Sequence, residues 1–339
     1  MMNSRALHGD MLFPFPSRTA DNTPVSADRR PAAFERSRRP PPSAAESGVL
    51  PGIAVCGLCD NPGTCDQADE KTVVSSNVYR HRHDRFTVWR CSSCRSLHCR
   101  EAMDPIRYYD AYPMHRHRLD FFARRAFGAR LRRLRRHGLR KRHSLLDYGC
   151  GQGLFVAYLK EKGYRAFGYD PYVPAFADPR ILARRFDAVV TQDVIEHAAD
   201  PRAFLQACAA RVRPGGLLLV GTPNADEIEL TNTYAMEIHQ PYHRSLLGEQ
   251  ALRTLGTEAG LTTEAVHKRF YYDTLFPMVN TQFIRQYVRK AGGFLDASVE
   301  PPKIAMVLSS PMLLFLGWFG WFFRARGHML AVFRQNPGA

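Results

Sequence analysis

Three glycines spaced two apart, Gly149, Gly151 and Gly153, follow directly on the apolar run Ser144-Leu-Leu-Asp-Tyr148, and the stretch Leu154 to Lys162 after them closes at Gly163. A short buried strand that passes through a glycine turn into a helix opens a βαβ unit. Without Cβ atoms the turn can bend tightly and let a ligand approach the backbone. The start of the helix offers unpaired N–H groups to the anionic end of that ligand. A second strand is predicted at Arg165-Ala-Phe-Gly-Tyr169 and ends in Asp170, where a carboxylate can accept hydrogen bonds from both hydroxyls of a ribose. A dinucleotide site is the other use of such a turn. Its G-x-G-x-x-G spacing needs glycine at position 154, which is Leu154, and it leaves Asp147 without a role.

The segment Leu146-Asp-Tyr-Gly-Cys-Gly-Gln-Gly153 resembles the D-x-G-x-G-x-G motif of class I S-adenosylmethionine-dependent methyltransferases. Phe186-Asp-Ala-Val-Val190 and the following Thr191-Gln-Asp-Val-Ile-Glu-His197 resemble the fourth strand of that family and the loop after it. Arg211-Val-Arg-Pro-Gly-Gly-Leu-Leu-Leu-Val220, with Thr222-Pro-Asn224 beyond it, resembles the turn into the fifth strand. The blocks stand in family order over about residues 145–224 and weakly beyond. The resemblance implies an α/β fold, a Rossmann-like seven-stranded sheet that is mostly parallel, with the last strand antiparallel. It also implies a cofactor site in which Asp147, Gly149 and Gly151 take the methionine end of S-adenosylmethionine. Cys150 and Gly153 belong to the same turn, Asp170 takes the ribose and Gln192 lies beneath the sulfonium. Only fifteen residues separate Asp170 from Phe186, so the third strand is short or degenerate, and Asp178 is the one candidate for an acid at the adenine.

Asp193, Glu196 and His197 resemble the loop of ubiquinone-pathway O-methyltransferases, where such residues are associated with a divalent metal at the active site. In other members a Glu-His here shapes the loop and caps the next helix, so both roles stay open. His239-Gln-Pro-Tyr-His243 falls where the family covers its acceptor site. Methyl transfer to a hydroxyl needs an aligned nucleophile and a group to take its proton. His243, titrating near neutrality, is the first candidate for that task, with His197 beside it. The alternative is an ordinary core or surface histidine.

Upstream, Cys56-Gly-Leu-Cys59 and Cys91-Ser-Ser-Cys94 are separated by 31 residues. Two such turns can point four thiolates at one structural zinc ion. Short strands are predicted at residues 73–78 and 86–90, and Cys65, His98 or Cys99 could replace one ligand. The thiols read as reduced or metal-bound in a cytoplasmic protein, since no secretory signal is visible. Residues 116–142 carry twelve Lys or Arg against the single acid Asp120, a large share of the formal net charge of +15. Such a run suits an anionic partner, membrane headgroups or nucleic acid, or a solvated helix face. A helix is predicted over residues 108–137, capped by Gly138.

Four regions follow: a disordered basic tail over 1–50, a zinc ribbon over 51–104, a basic linking helix over 105–143, and a methyltransferase domain over 144–339 with a hydrophobic insert at about 276–325. Within the insert, residues 304–323 carry no charge. That length could cross a bilayer. Pro311, Gly317 and Gly320 break it, however, and the predicted seventh strand at 328–334 must return to the same sheet as Leu145. The run is therefore predicted to lie on the inner face of a membrane or over the acceptor pocket. The function so implied is methylation, by O-methylation first, of a small-molecule, glycan or lipid-like acceptor. An RNA methyltransferase is the rival, although no N-P-P-Y-type loop follows the fourth strand. A non-catalytic binding module is the other, and the intact Asp147, glycine turn and Asp170 speak against it.

Overall fold

In a computed structural model the structure describes residues 49–337 apart from 111, 233–234 and 270–272. The tail expected over 1–50 lies outside the described residues except for its last two. The ribbon is built from β1 (Lys71–Ser75), β2 (Arg85–Arg90) and β3 (Leu97–Cys99), each antiparallel to the next. Trp89 anchors it, fully buried, with its indole N–H donating to Ile53 O at 2.8 Å. β1 starts two residues earlier than predicted and stops at Ser75, because Ser76 N–H turns to Asp84 O and closes the hairpin.

The single helix expected over 108–137 is two. α1 (Pro105–Tyr109) is capped by Asp104, which accepts from the N–H groups of Ile106 and Arg107. α2 (Phe121–Arg136) is capped by Asp120 through Ala123 N–H. Pro113 separates them: it has no N–H and forces Tyr112 into extended backbone, ψ 114°. At the far end Gly138, at φ +100°, lets Leu139 N–H reach Leu134 O, so α2 closes where the sequence places its cap.

The larger sheet contains β4 (Ser144–Tyr148), β5 (Arg165–Tyr169) after α3 (Leu154–Glu161), and β6 (Phe186–Gln192). α4 (Pro201–Ala209) then leads to β7 (Val212–Pro223). A short strand, β8 (Ser245–Leu246), departs to the ribbon and pairs with β3 there, Leu97 opposite Leu246. α5 (Glu249–Glu258) and β9 (Leu261–His267) follow, then the insert with α6 (Thr281–Lys290), α7 (Ile304–Leu308) and α8 (Pro311–Phe319), and finally β10 (His328–Gln335). The order is β5-β4-β6-β7-β10-β9. β5, β4, β6 and β7 run parallel, and β10 lies antiparallel to both its neighbours. The apolar runs of β4, β6 and β7 are buried on both faces, as strands between two helical layers must be.

The Rossmann-like α/β architecture is as expected, with six strands in its sheet among the described residues rather than seven. The third is absent because residues 171–185 hold Pro171, Pro174 and Pro179, and fold instead as two 3₁₀ turns, Pro174–Phe176 and Pro179–Ala183. The uncharged run 304–323 is broken at Pro311 and Gly320, as predicted, whereas Gly317, also expected to break it, lies inside α8. Pro311 starts a new helix under the Ser310 cap, and Gly320 ends it. No helix among the described residues is long and apolar enough to cross a membrane. β10 does return between β7 and β9.

Candidate active site

Strands β5 and β6 lie on opposite sides of β4, so the connections leaving their carboxyl ends diverge and open a crevice there. The crevice is a cavity of about 2970 Å³. That is several times the roughly 300–1,000 Å³ of an ordinary ligand pocket.

One wall is the glycine turn. Gly149 (φ +81°) sits so close to Val194 that an added Cβ would lie 2.6 Å from its methyl, whereas a Cβ on Gly151 (φ +52°) would meet nothing within 4 Å. Gly149 thus lets the β6 loop pack, and Gly151 leaves the space open. Gly149 and Cys150 both donate to Tyr169 O, and Asp170 accepts from Gly151 N–H at 2.9 Å and Tyr172 N–H at 3.0 Å. The carboxylate expected at a ribose is therefore also the clamp that holds the turn. Asp147, Gln192 and Asp170 all line the cavity, as do Gly149, Cys150 and Gly151. Gly153 does not line it. Phe176 occupies the place of its missing side chain, 2.2 Å from a built Cβ, so its role is close packing at the start of α3. Cys150 turns its thiol toward Gly168 and contributes backbone. Asp178 stays outside, capping a 3₁₀ turn and pairing with Arg180.

The facing wall comes from the β6 loop and from residues 237–243. Glu196, fully buried, accepts from Thr222 Oγ at 2.9 Å through one oxygen. The other has no hydrogen-bond partner and lies 4.0 Å from His243 Nε2. His243 Nδ1 donates to Glu237 O at 2.7 Å, which leaves Nε2 as the bare nitrogen of the neutral ring. Burial lowers His243 to about 4 and raises Glu196 well above the usual carboxyl range, with the Asp193 charge adding to the rise. His243 is thus uncharged near neutrality, and Glu196 is pushed toward its protonated form. His197 stands edge-on to His243 with ring centres 4.9 Å apart and hydrogen-bonds Tyr109 Oη at 3.1 Å. Asp193, held at φ +55°, accepts from the Gln192 amide at 2.9 Å.

Several residues of this site went unread in the sequence. Arg130, buried on α2, lies over the Phe155 ring at 4.6 Å and lines the cavity. Burial raises Asp147 and Asp193 to about 6 each, and Arg130 opposes the rise at both. A signal was present: Arg130 follows Ala126 by four and Phe127 by three, on the buried stripe of the helix, while most of the run's other cations point outward. Tyr109, Tyr112 and His239 complete the facing wall. His239 Nδ1 hydrogen-bonds Asn77 Oδ1 of the ribbon, a contact no local pattern announces.

Two groups of side chains are spaced for a metal. Cys56, Cys59, Cys91 and Cys94 bring their sulfurs within 4.8 Å of one another, with separations of 3.6–3.9 Å for three pairs. Four thiolates about 2.3 Å from a zinc ion would stand roughly 3.8 Å apart. Among the described residues Cys65, His98 and Cys99 do not join this group; His98 instead hydrogen-bonds Ser245 at 3.0 Å. The second group is Glu196, His197 and His243. The divalent-metal set suggested by the sequence therefore changes in one member, His243 standing where Asp193 was expected.

A family model described as a methyltransferase domain matches residues 114–266. The match begins upstream of α2, which packs Phe127 on Phe155 of α3. The ubiquinone biosynthesis O-methyltransferase of Caulobacter vibrioides is 35% identical over 103 residues, covering 24% of this chain and 41% of that protein. That of Bradyrhizobium sp. (strain ORS 278) is 34% identical over 100 residues, covering 24% and 40%. The chain thus spans about two fifths of the length of these relatives. Among solved structures, coclaurine N-methyltransferase bound to N-methylheliamine and SAH aligns with a TM-score of 0.39 at 13% identity, over 62% of this chain and 72% of that one. The [4+2]-cyclase SpnF aligns with a TM-score of 0.39 at 15% identity, over 61% and 80%.

Proposed function

We propose that this chain, whose residues 114–266 match a family model described as a methyltransferase domain, is a class I S-adenosylmethionine-dependent methyltransferase that methylates a hydroxyl of an acceptor bound against His243. The observation that carries the reading is the single cavity with two unlike walls. Asp147, the Gly149–Gly151 turn and Asp170 line one side, and His243 with Glu196 lines the other.

S-adenosylmethionine, when bound, supplies an electrophilic methyl on a sulfonium. Asp170 would hold its ribose, the Gly149–Gly151 backbone would lie along it, and Asp147 with Arg130 would take the ammonium and carboxylate of its methionine end. Gln192 would lie under the sulfonium. Across the cavity, His243 Nε2 accepts the proton that the hydroxyl loses as its oxygen is methylated. The Nδ1–H donated to Glu237 O fixes that tautomer. Glu196, pushed by burial toward its protonated form, faces that nitrogen at 4.0 Å and shapes its surroundings. His197, oriented by Tyr109, positions the acceptor with Asp193.

A divalent ion held by Glu196, His197 and His243 is a second reading, favoured by their closeness; it would polarise the same hydroxyl. Zinc in the Cys56–Cys94 cluster would be structural.

Two variants test the reading together. Asp170→Ala should weaken S-adenosylhomocysteine binding, with each lost charge-assisted hydrogen bond worth about 1.5–3 kcal/mol. His243→Ala should bind it normally yet turn over about 10²–10⁴-fold more slowly. Calorimetry showing wild-type affinity in the first variant sinks the cofactor site. Wild-type turnover in the second removes the base and leaves alignment alone.

A further inference from the structure

Eleven of the sixteen large hydrophobic side chains exposed among the described residues belong to four neighbouring segments. α8 and the turn after it expose Met312, Phe315, Trp318, Phe319, Phe322 and Phe323, with Trp318 at 62% and Phe322 at 66%. α7 adds Ile304 and Leu308. Phe121 and Phe122, at the start of α2, and Leu275 are exposed as well. These segments abut. Phe276 packs edge-on against Phe121 with ring centres 5.1 Å apart, and Met278 N–H donates to Gly317 O within α8. Single exposed apolar residues are ordinary, but a contiguous aromatic face of this kind marks a surface that meets something other than water.

Charge identifies the occupant. Residues 301–323 contain no Asp or Glu, and cations stand around them. Arg125 lies over both Phe121 and Phe276, at 4.9 and 4.7 Å, and Lys290 reaches the Ser310 cap of α8 at 3.1 Å. Lys303 and Arg324 bound the apolar run, and Arg269 stacks on Trp321 at 4.5 Å. Tryptophan and phenylalanine ringed by arginine and lysine match the boundary of an anionic bilayer, where rings settle at headgroup depth and cations meet phosphates.

The cavity reaches the same face. Its lining runs from Asp147 and His243 through Phe283 and Val307 to Phe122 and Leu308, which are themselves exposed. We propose that this face docks on an anionic membrane surface, and that the cavity draws from it an acceptor carrying a long apolar chain. The docking stands on the surface alone; the acceptor class rests on the methyl-transfer reading.

Flotation of the full chain with phosphatidylcholine vesicles, with and without phosphatidylglycerol, tests the docking. The protein should float with the anionic vesicles, and high salt should release it by screening. Trp318→Ser with Phe322→Ser should weaken binding on the order of tenfold or more per side chain. Absence of flotation, or flotation that this pair leaves unchanged, overturns the docking. A dimer on gel filtration that the same pair splits also overturns it, by assigning the face to a second copy. For the acceptor, labelled methyl transferred into a membrane extract should appear in the chloroform-soluble fraction; label confined to the aqueous fraction overturns the class. Calorimetry with S-adenosylhomocysteine on the same proteins keeps the readings apart. Missing cofactor binding sinks methyl transfer and leaves the docking result standing.

Discussion

Replacing Glu196 by Gln should slow the proposed methyl transfer and stabilise the fold at once. The side chain is fully buried, with one oxygen on Thr222 Oγ and the other facing His243 Nε2 at 4.0 Å. Gln keeps the volume and, through its amide oxygen, the Thr222 bond. Its NH₂ then points at the nitrogen proposed as base and donates to it, so turnover should fall by about 10²–10⁴-fold. Stability moves the other way. Burial raises the Glu196 carboxyl well above its ordinary value, so the folded state binds its proton more tightly than the unfolded chain does. The contribution is then fully present below the unfolded pKa and is lost as pH rises through the folded one. Each pKa unit of such a rise corresponds to about 1.4 kcal/mol, or roughly 3–6 °C in melting temperature for a domain of about 200 residues. Gln carries no such cost. The advantage in melting temperature of Glu196→Gln over wild type should therefore grow as pH rises from the ordinary carboxyl range toward the raised one. Thermal melts across that range, paired with initial rates on the same preparations, read both effects. A flat melting difference would show that Glu196 is not held protonated by burial, and undiminished turnover would remove it from the neighbourhood of the base.

The carboxyl of Asp147, lifted by burial to about 6, should make S-adenosylmethionine affinity fall as pH drops through that value, because only the ionised form attracts an ammonium. Asp147→Asn should abolish the dependence in a calorimetric pH series. Purified protein should carry one equivalent of zinc by elemental analysis, and Cys56→Ser should lower it; a metal-free chain that melts like wild type would refute the site. Arg130→Met should keep α2 packed on Phe155 while weakening cofactor binding, each lost charge-assisted contact costing about 1.5–3 kcal/mol, and unchanged calorimetric affinity would return Arg130 to a packing role.

The parts legible in the sequence are those written in consecutive residues. The strand and glycine turn at 144–153, Asp170 and the β6 loop each carry their pattern within about ten positions, and the cavity collects them on its walls. The break between α1 and α2 was legible too, in Pro113, but the ragged apolar spacing around it outweighed the proline. The third strand failed where three prolines in fifteen residues left no ladder to donate. What stayed hidden depends on distance along the chain. Arg90, 3% exposed, donates to Ala225 O and Ile228 O, and β3 pairs with a two-residue strand from the loop after β7. Neither contact has a local period. Through them the ribbon joins the wall that carries His243, and Asn77 comes to hold His239.

The position of β10 has a consequence for how the protein is made. The last strand among the described residues is not an edge but an interior member of the sheet, paired to β7 on one side and β9 on the other. A nascent chain lacking residues 328–335 therefore has two open strand edges, both flanking apolar surface, while the ribosome is still adding residues. The insert that precedes β10 delays its arrival by a further sixty residues between His267 and His328. Until then the apolar helices α7 and α8 and the unfilled slot between β7 and β9 are exposed together, the state in which misassembly competes with folding. Chaperone dependence should accordingly be set by the insert, and ease when it is shortened.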